Sequence, residues 1–209
     1  DEFKATLAIN YNRVRTEEVR ALNLDPRLGT ERDDGFIGVQ ELFYTKDLRT
    51  ASARYDVDEV RVGIQPFSSD FRGFLFQDNQ LGVRFFGNRD NNHWQYNLAL
   101  FRRLEKDINS GLNDVTKGLR DDDVFIANLY RQDFPYTGFV SQAIFAYNRN
   151  REDSSFYDSN GFIQRPAAIG REFPRTYDVA YLGYNGDGHI GRLNLTLSAY
   201  AAFGKQKPG

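Results

Sequence analysis

The chain has 209 residues, with no cysteine, no methionine, one tryptophan and two histidines. Without cysteine there is neither a disulfide framework nor a thiolate metal site. Methionine is missing even from position 1, where Asp1 stands. The chain is therefore expected to be a processed product or an excised fragment, any signal peptide already gone. No apolar run approaches the roughly 18 residues that a membrane helix needs, so only strands could carry this chain through a bilayer. Neither charge sign dominates: 27 basic and 29 acidic residues leave a net charge of −2. They are spread along the whole chain, which gives no surface suited to nucleic acid and no basic membrane-binding tail. Helical periodicity is confined to one short stretch, Glu17–Leu24, which could form a turn inside a loop.

What the chain does have is aromatic residues and alternation. Aromatics make up 15% of it, with 12 Tyr and 18 Phe, while the mean hydropathy is −0.61. A water-filled membrane barrel combines the two, because half of each strand is polar and its loops are charged. A soluble aromatic-rich β protein would combine them as well. The segment Arg192–Phe203, RLNLTLSAYAAF, places Leu193, Leu195, Leu197, Ala199, Ala201 and Phe203 on one face. Arg192, Asn194, Thr196, Ser198 and Tyr200 fall on the other, a period of two that marks a strand with one apolar and one polar side. Phe3–Asn12, Glu59–Phe67, Leu81–Gly87 and His93–Arg103 repeat the pattern, and less regular strands are expected at Phe36–Tyr44, Val124–Asp133, Phe139–Asn150 and Thr176–Asn185. Residues such as Glu41, Ile144 and Leu182 blur the alternation in the latter group.

The connections decide which face meets water. Tight turns are expected at Asn88–Asn92, Phe134–Gly138 and Gly186–Gly188, where Asn-Gly and Asp-Gly supply positive φ. Long charged loops run through Arg15–Asp34, Glu105–Asp121 and Arg151–Arg175. Tight turns at one end of the strands and long polar loops at the other is the organisation of outer-membrane barrels. The expected fold is therefore all-β: an antiparallel transmembrane β-barrel with short periplasmic turns and long extracellular loops, in one domain spanning residues 1–209. About nine strands put the two chain ends on opposite sides of a membrane, which implies an incomplete portion of a larger barrel. Eight or ten strands would instead close a small one.

On this reading Leu7, Ile9, Val60, Val62, Leu98, Leu100, Leu193, Leu195 and Leu197 face lipid. Lys4, Asn10, Arg61, Gln65, Arg84, Gln95, Asn97, Arg103, Arg192 and Asn194 line the pore. The inward cations Lys4, Arg61, Arg84, Arg103 and Arg192 favour anions, unless acids such as Glu59 and Glu41 neutralise them across neighbouring strands. Tyr11, Phe43, Tyr44, Trp94, Phe101, Tyr130, Phe134, Tyr136, Phe139, Tyr147, Tyr181 and Phe203 cluster near strand ends, as interfacial girdles do. Aromatics also favour strands for their own sake. The run Phe71–Gln80, with Phe71, Phe74, Leu75 and Phe76, is too apolar for a solvated loop and is expected to fold inward as a constriction.

The segment Tyr55–Gly87 contains Val60-Arg61-Val62-Gly63-Ile64-Gln65 followed by Gly82-Val83-Arg84. It resembles the porin-like and alginate-export-like outer-membrane channel families, in which a VRVGxQ strand leads through a loop to a strand beginning GVR. Ile64 stands where those families often carry a second Arg. TonB-dependent transporter barrels share the strand grammar. The resemblance implies passive or gated transport across a bacterial outer membrane rather than catalysis, with outer-membrane lipid and a small polar or anionic solute as partners. Two other classes fit the same residues: a soluble β-sandwich binding protein, and a barrel plugged for a structural or TonB-gated role.

Other motifs read as ordinary. Gly186–Gly191 spells GxGxxG, but a strand of strict alternation follows where a dinucleotide site needs a helix. Asp33-Asp34, Asp121-Asp122-Asp123 and Asp158–Gly161 offer oxygen ligands, yet no Glu follows Asp158 at EF-hand spacing. His93 and His189 lie beside turns with no nucleophile near them in sequence. Asn194-Leu195-Thr196 fits a glycosylation acceptor, but it lies within a strand. No metal or cofactor is expected.

Overall fold

The computed structural model describes residues 1–17, 26–107, 110–158, 161–166 and 173–208. Its strands are β1 (Glu2–Arg15), β2 (Glu31–Thr50), β3 (Val57–Ser68), β4 (Gln77–Arg89), β5 (Trp94–Arg102), β6 (Asp122–Arg131), β7 (Phe139–Asn150), β8 (Phe156–Tyr157), β9 (Ile163–Arg165), β10 (Arg175–Ile190) and β11 (Leu193–Pro208). Nine of them form one antiparallel sheet in the order β1-β2-β3-β4-β5-β6-β7-β10-β11, while β8 and β9 make a separate small hairpin. Every neighbour in the large sheet follows from the chain's own sequence order, the simplest way for hairpins to pair. The sheet is open: β1 and β11 are its edges. Among the described residues the only helical turn is the 3-10 segment Pro26–Leu28. The helical stretch expected over Glu17–Leu24 lies, apart from Glu17, outside the described residues.

Strand ends sort the connections into two sets. Residues 16–30, 69–76, 103–121 and 151–174 join strands at one end of the sheet. Residues 51–56, 90–93, 132–138 and 191–192 join them at the other. The long-and-short division read from the sequence is therefore present, with one displaced turn. Gly186 and Gly188, expected in a tight turn, lie inside β10 opposite Leu197 and Leu195. Both are closely packed: a Cβ on Gly186 would come 2.5 Å from the Phe139 ring, and one on Gly188 would come 2.2 Å from the Gly138 carbonyl oxygen, and Gly188 also has φ +149°. The turn itself is Gly191-Arg192, with Gly191 at φ +62°. A two-residue hairpin with glycine first is the form that matches strand twist.

The blurred alternation in β2 has a local cause. Thr6 pairs with Glu41 and the next residue, Leu7, pairs with Val39, so Gln40 is an extra residue in β2. Such a bulge places two successive side chains on one side and resets the phase. Phe36, Gly38 and Gln40 point to the same face as Glu41, Phe43 and Thr45, while Ile37, Val39, Leu42 and Tyr44 point away.

The two faces of the sheet are reversed from those of a soluble sandwich. The more apolar face is the open one: Ile9 is 82% exposed and Leu98 47%, and Leu7, Ile37, Leu42, Val62, Val83, Leu100, Leu129, Leu182, Leu193 and Leu197 are exposed with them. Val60 and Leu195 on the same face are half-buried by their neighbours. The opposite face holds Gln65, Gln80 and Gln142, each 0% exposed, with Asn97, Asn128 and Asn185 beside them. It also holds a small apolar cluster of Phe67, Phe76, Ala99, Phe101, Val124, Ile126, Ile144 and Ala146.

This covered face is concave. Gln142 on β7 donates from Nε2 to the carbonyl of Ser69, one residue beyond β3, at 2.7 Å. In a flat sheet β3 and β7 would lie four strand spacings apart, about 19 Å. One residue of chain, one glutamine side chain and one hydrogen bond together reach roughly 11 Å. The sheet must therefore curl around the β3–β4 loop.

Candidate functional site

The inner face is organised by that loop, residues 69–76, which turns inward as its apolar content requires. Phe76 stacks on Phe101 at 5.3 Å and tilts against Phe67 at 6.3 Å. Phe74 stacks on Tyr200 of β11 at 5.3 Å, and Phe71 meets Tyr130 of β6 edge-on at 5.8 Å. Such ring pairs contribute beyond their buried area. A polar relay crosses the inner wall to the same loop. The Tyr200 hydroxyl donates to Asn185 Oδ1 at 2.7 Å, and Asn185 Nδ2 donates to Gln142 Oε1 at 2.9 Å. Gln142 and Asn128 then both donate to the Ser69 carbonyl, each at 2.7 Å.

Asp70 holds the loop in shape. Its carboxylate accepts from Ser69 Oγ at 2.7 Å, from the backbone N–H groups of Arg72 and Phe74 at 3.0 Å each, and from that of Leu75 at 3.2 Å. Burial alone would raise its pKa, but these donors outweigh burial and hold it below the usual 3.8. The loop thus carries an internal anion satisfied by its own backbone.

The cations expected on the pore face have separated into paired and unpaired groups. Lys4 Nζ meets Glu41 Oε2 at 2.8 Å. Arg103, just past the end of β5, meets Asp122 Oδ2 at 3.2 Å and Asp78 Oδ2 at 3.9 Å. Arg61 donates to Thr45 Oγ1 at 2.8 Å and lies 3.4 Å from Glu2 Oε2. Arg84 Nε donates to Asn97 Oδ1 at 2.7 Å and has no carboxylate partner among the described residues. The two arginines are interleaved with rings. Arg61 lies 4.2 Å from the Phe43 centroid and 5.5 Å from that of Phe86, and Arg84 lies 4.2 Å from Phe86 and 5.2 Å from Phe67. Cation–π contact of this kind gives a guanidinium about 0.5–2 kcal/mol and leaves its edge free to donate.

Arg192 is the clear correction: it occupies the β10–β11 turn and is exposed, because β11 begins only at Leu193. Asn194 lies on the inner side of β11 opposite His189 and is exposed. Asn10 is half-buried and accepts from Asn12 Nδ2 at 2.8 Å. Gln95 Nε2 donates to Asn92 Oδ1 in the β4–β5 turn at 3.0 Å, and Gln65 Nε2 donates to the Gly82 carbonyl at 3.1 Å. Of the aromatics expected in girdles, Phe43, Phe101, Tyr130 and Tyr181 are on the inner face. Their strand parity places them there, Phe101 fully buried beneath Phe76. Tyr11, Tyr44, Tyr147 and Phe203 are exposed on the outer face.

Two cavities adjoin Arg84. The larger, about 660 Å³, is lined by Phe67, Ser68, Asn79, Gln95, Asn97 and Tyr130 among others, and the smaller, about 260 Å³, includes Glu59. At the long-loop end the charges form an alternating chain: Lys106–Asp78 at 2.5 Å, Arg103–Asp122, Arg120–Glu152 at 2.7 Å, Arg165–Glu152 at 3.2 Å and Arg165–Glu105 at 2.6 Å. Burial opposes the charge on Glu152, but the Arg120 pair prevails and lowers its pKa. These pairs tie the β5–β6 loop to the segment after β7. Asn113 of the former reaches the carbonyls of Val39 and Asn79 at 3.2 and 3.0 Å.

Nothing in the sequence marked Ser69, Gln142, Asn185 or Tyr200 as a connected set: β7, β10 and β11 are neighbours in the sheet, but only its curvature brings the end of β3 to them. Among the described residues no group of His, Cys, Asp or Glu is placed to hold a metal ion. No protein-family model, curated protein or solved structure matches this chain.

Proposed function

We propose that this chain forms nine strands of a bacterial outer-membrane β-barrel channel through which small polar solutes diffuse, anions favoured. The supporting observation is the reversal of faces: an open apolar outer face around a curled, polar inner wall. Water outside such a sheet would meet exposed Leu, Ile, Val or aromatic side chains on each of its nine strands, whereas soluble monomers rarely expose large contiguous apolar patches. Lipid outside it meets the surface a barrel presents. In a bilayer the edge N–H and C=O groups of β1 and β11 require partners, so the reading entails further β-structure closing the sheet. The Arg61–Arg84 stack supports a positive inner potential, focused by low-dielectric walls.

The intact protein is then expected to show heat-modifiable gel mobility and to form ion-conducting channels in planar bilayers. A protein that remains monomeric and monodisperse without detergent would overturn the reading. The inturned loop favours one alternative within the same fold, a plugged barrel. Heat-modifiable mobility without conductance would select it.

A further inference from the structure

We infer that Arg84 is the seat of a binding site for a small hydroxylated monocarboxylate of sugar-acid type, held in the cavity between the β3–β4 loop and strands β4–β6. The inference deepens the channel reading and rests on it for its setting. Its first ground is the missing counter-ion. Lys4, Arg61 and Arg103 each have a carboxylate within 4 Å, whereas Arg84 has a neutral amide, Asn97. Glu59, which lines the adjoining cavity, acts on Arg84 electrostatically but from beyond ion-pair distance, so no carboxylate touches the guanidinium among the described residues.

The second ground is preorganisation. The Arg84 guanidinium lies against Phe86 and Phe67, and Asn97 fixes Nε, so its orientation is set before a ligand arrives. Nη1 and Nη2 donate to no protein group among the described residues. That leaves one edge of the planar fork for a bidentate carboxylate. Holding the charge ready in a partly dry site reduces the ordering cost of binding.

The third ground is the lining. Ser68, Gln77, Asn79, Gln95 and Tyr130 offer neutral donors and acceptors around a cavity of about 660 Å³, which suits hydroxyl groups. The one lining acid, Asp78, is satisfied by Lys106 at 2.5 Å. A single unpaired guanidinium matches a single carboxylate.

Isothermal titration of the intact protein in detergent with D-gluconate, and with sorbitol as the uncharged match, tests the site. Gluconate is expected to bind saturably and sorbitol at least about 10-fold more weakly, as loss of a charge-assisted contact implies. Two variants separate recognition from folding. Arg84→Gln removes the cation. Asn97→Asp keeps Arg84 and gives it a resident carboxylate, so the seat is occupied from within. Both are expected to weaken gluconate binding at least about 10-fold, with native heat-modifiable mobility for Asn97→Asp. Wild-type binding of gluconate by folded Asn97→Asp protein, or equal binding of sorbitol, would overturn the site. Conductance without gluconate binding rejects the site and leaves the channel, whereas binding without conductance rejects the channel and leaves the site.

Discussion

Replacing Asp70 by alanine isolates the loop from the rest of the fold. The carboxylate accepts four hydrogen bonds at 2.7–3.2 Å, three of them from backbone N–H groups of residues 72, 74 and 75. A hydrogen bond to a charged group contributes about 1.5–3 kcal/mol. The freed donors near exposed Phe74 can turn to water, so the net loss is expected at about 2–4 kcal/mol rather than the sum. That raises the population of the released loop by about 30- to 1000-fold. The fold itself persists, because Phe76 and the Ser69 carbonyl keep their partners on β5, β6 and β7. Amide exchange at Arg72, Phe74 and Leu75 reads the release directly, and single-channel conductance should rise as the loop leaves the inner wall. Unchanged exchange at all three amides would refute the reasoning, since it would mean that Asp70 does not hold them.

Acid should reproduce the effect of that substitution. The Asp70 pKa lies below its unfolded value of 3.8, so its contribution is present above the ordinary aspartate range and lost as pH falls through the lower folded value; loop protection that declines near neutral pH would contradict this. Leu98→Arg on the outer face should block membrane assembly, costing about 2–4 kcal/mol, while Gln95→Arg three strand positions away on the inner face should assemble normally; equal yields of heat-modifiable protein would count against the facing. Gly63→Ala should lower the melting temperature, at about 3 kcal/mol: φ is +128° and a Cβ would come 2.1 Å from the Leu42 carbonyl oxygen. Glu152→Gln removes the shared partner of Arg120 and Arg165 and should loosen the long-loop end by about 2–4 kcal/mol, read as faster proteolysis within residues 103–121 with the sheet's circular dichroism unchanged.

All nine strands of the large sheet were legible because an apolar/polar period of two survives wherever one face is covered and the other is not. Their ends were not. β1 and β2 remain paired from Glu2–Thr45 to Arg15–Glu31, well past the apolar band, because backbone pairing carries charged residues along. Arg13 and Arg15 lie within 4 Å of acids on the partner strand. The bulge at Gln40 hid the phase of β2, since one extra residue shifts every later side chain by one face. Asn185-Gly186-Asp187-Gly188 imitated a turn because glycines required inside a strand, by close packing at Gly186 and also by positive φ at Gly188, look the same in sequence as glycines of a turn. The inner face was legible in part: Arg61, Arg84 and Asn97 follow from strand parity. That Arg84 lacks an acid while Arg103 has two does not follow, because pairing depends on register and on where the β5 and β6 ends meet.

The claim on which the rest depends is that the open apolar face lies in lipid, and the sole tryptophan makes it measurable. In a Trp94→Phe background, tryptophan is introduced at Leu98 on the outer face or at Gln95 on the inner one, and the protein is reconstituted in bilayers whose acyl chains carry bromine at mid-chain. Strong quenching at position 98 with little at position 95 is the expected result. Equal quenching at both, or none at position 98 in folded protein, would contradict the account.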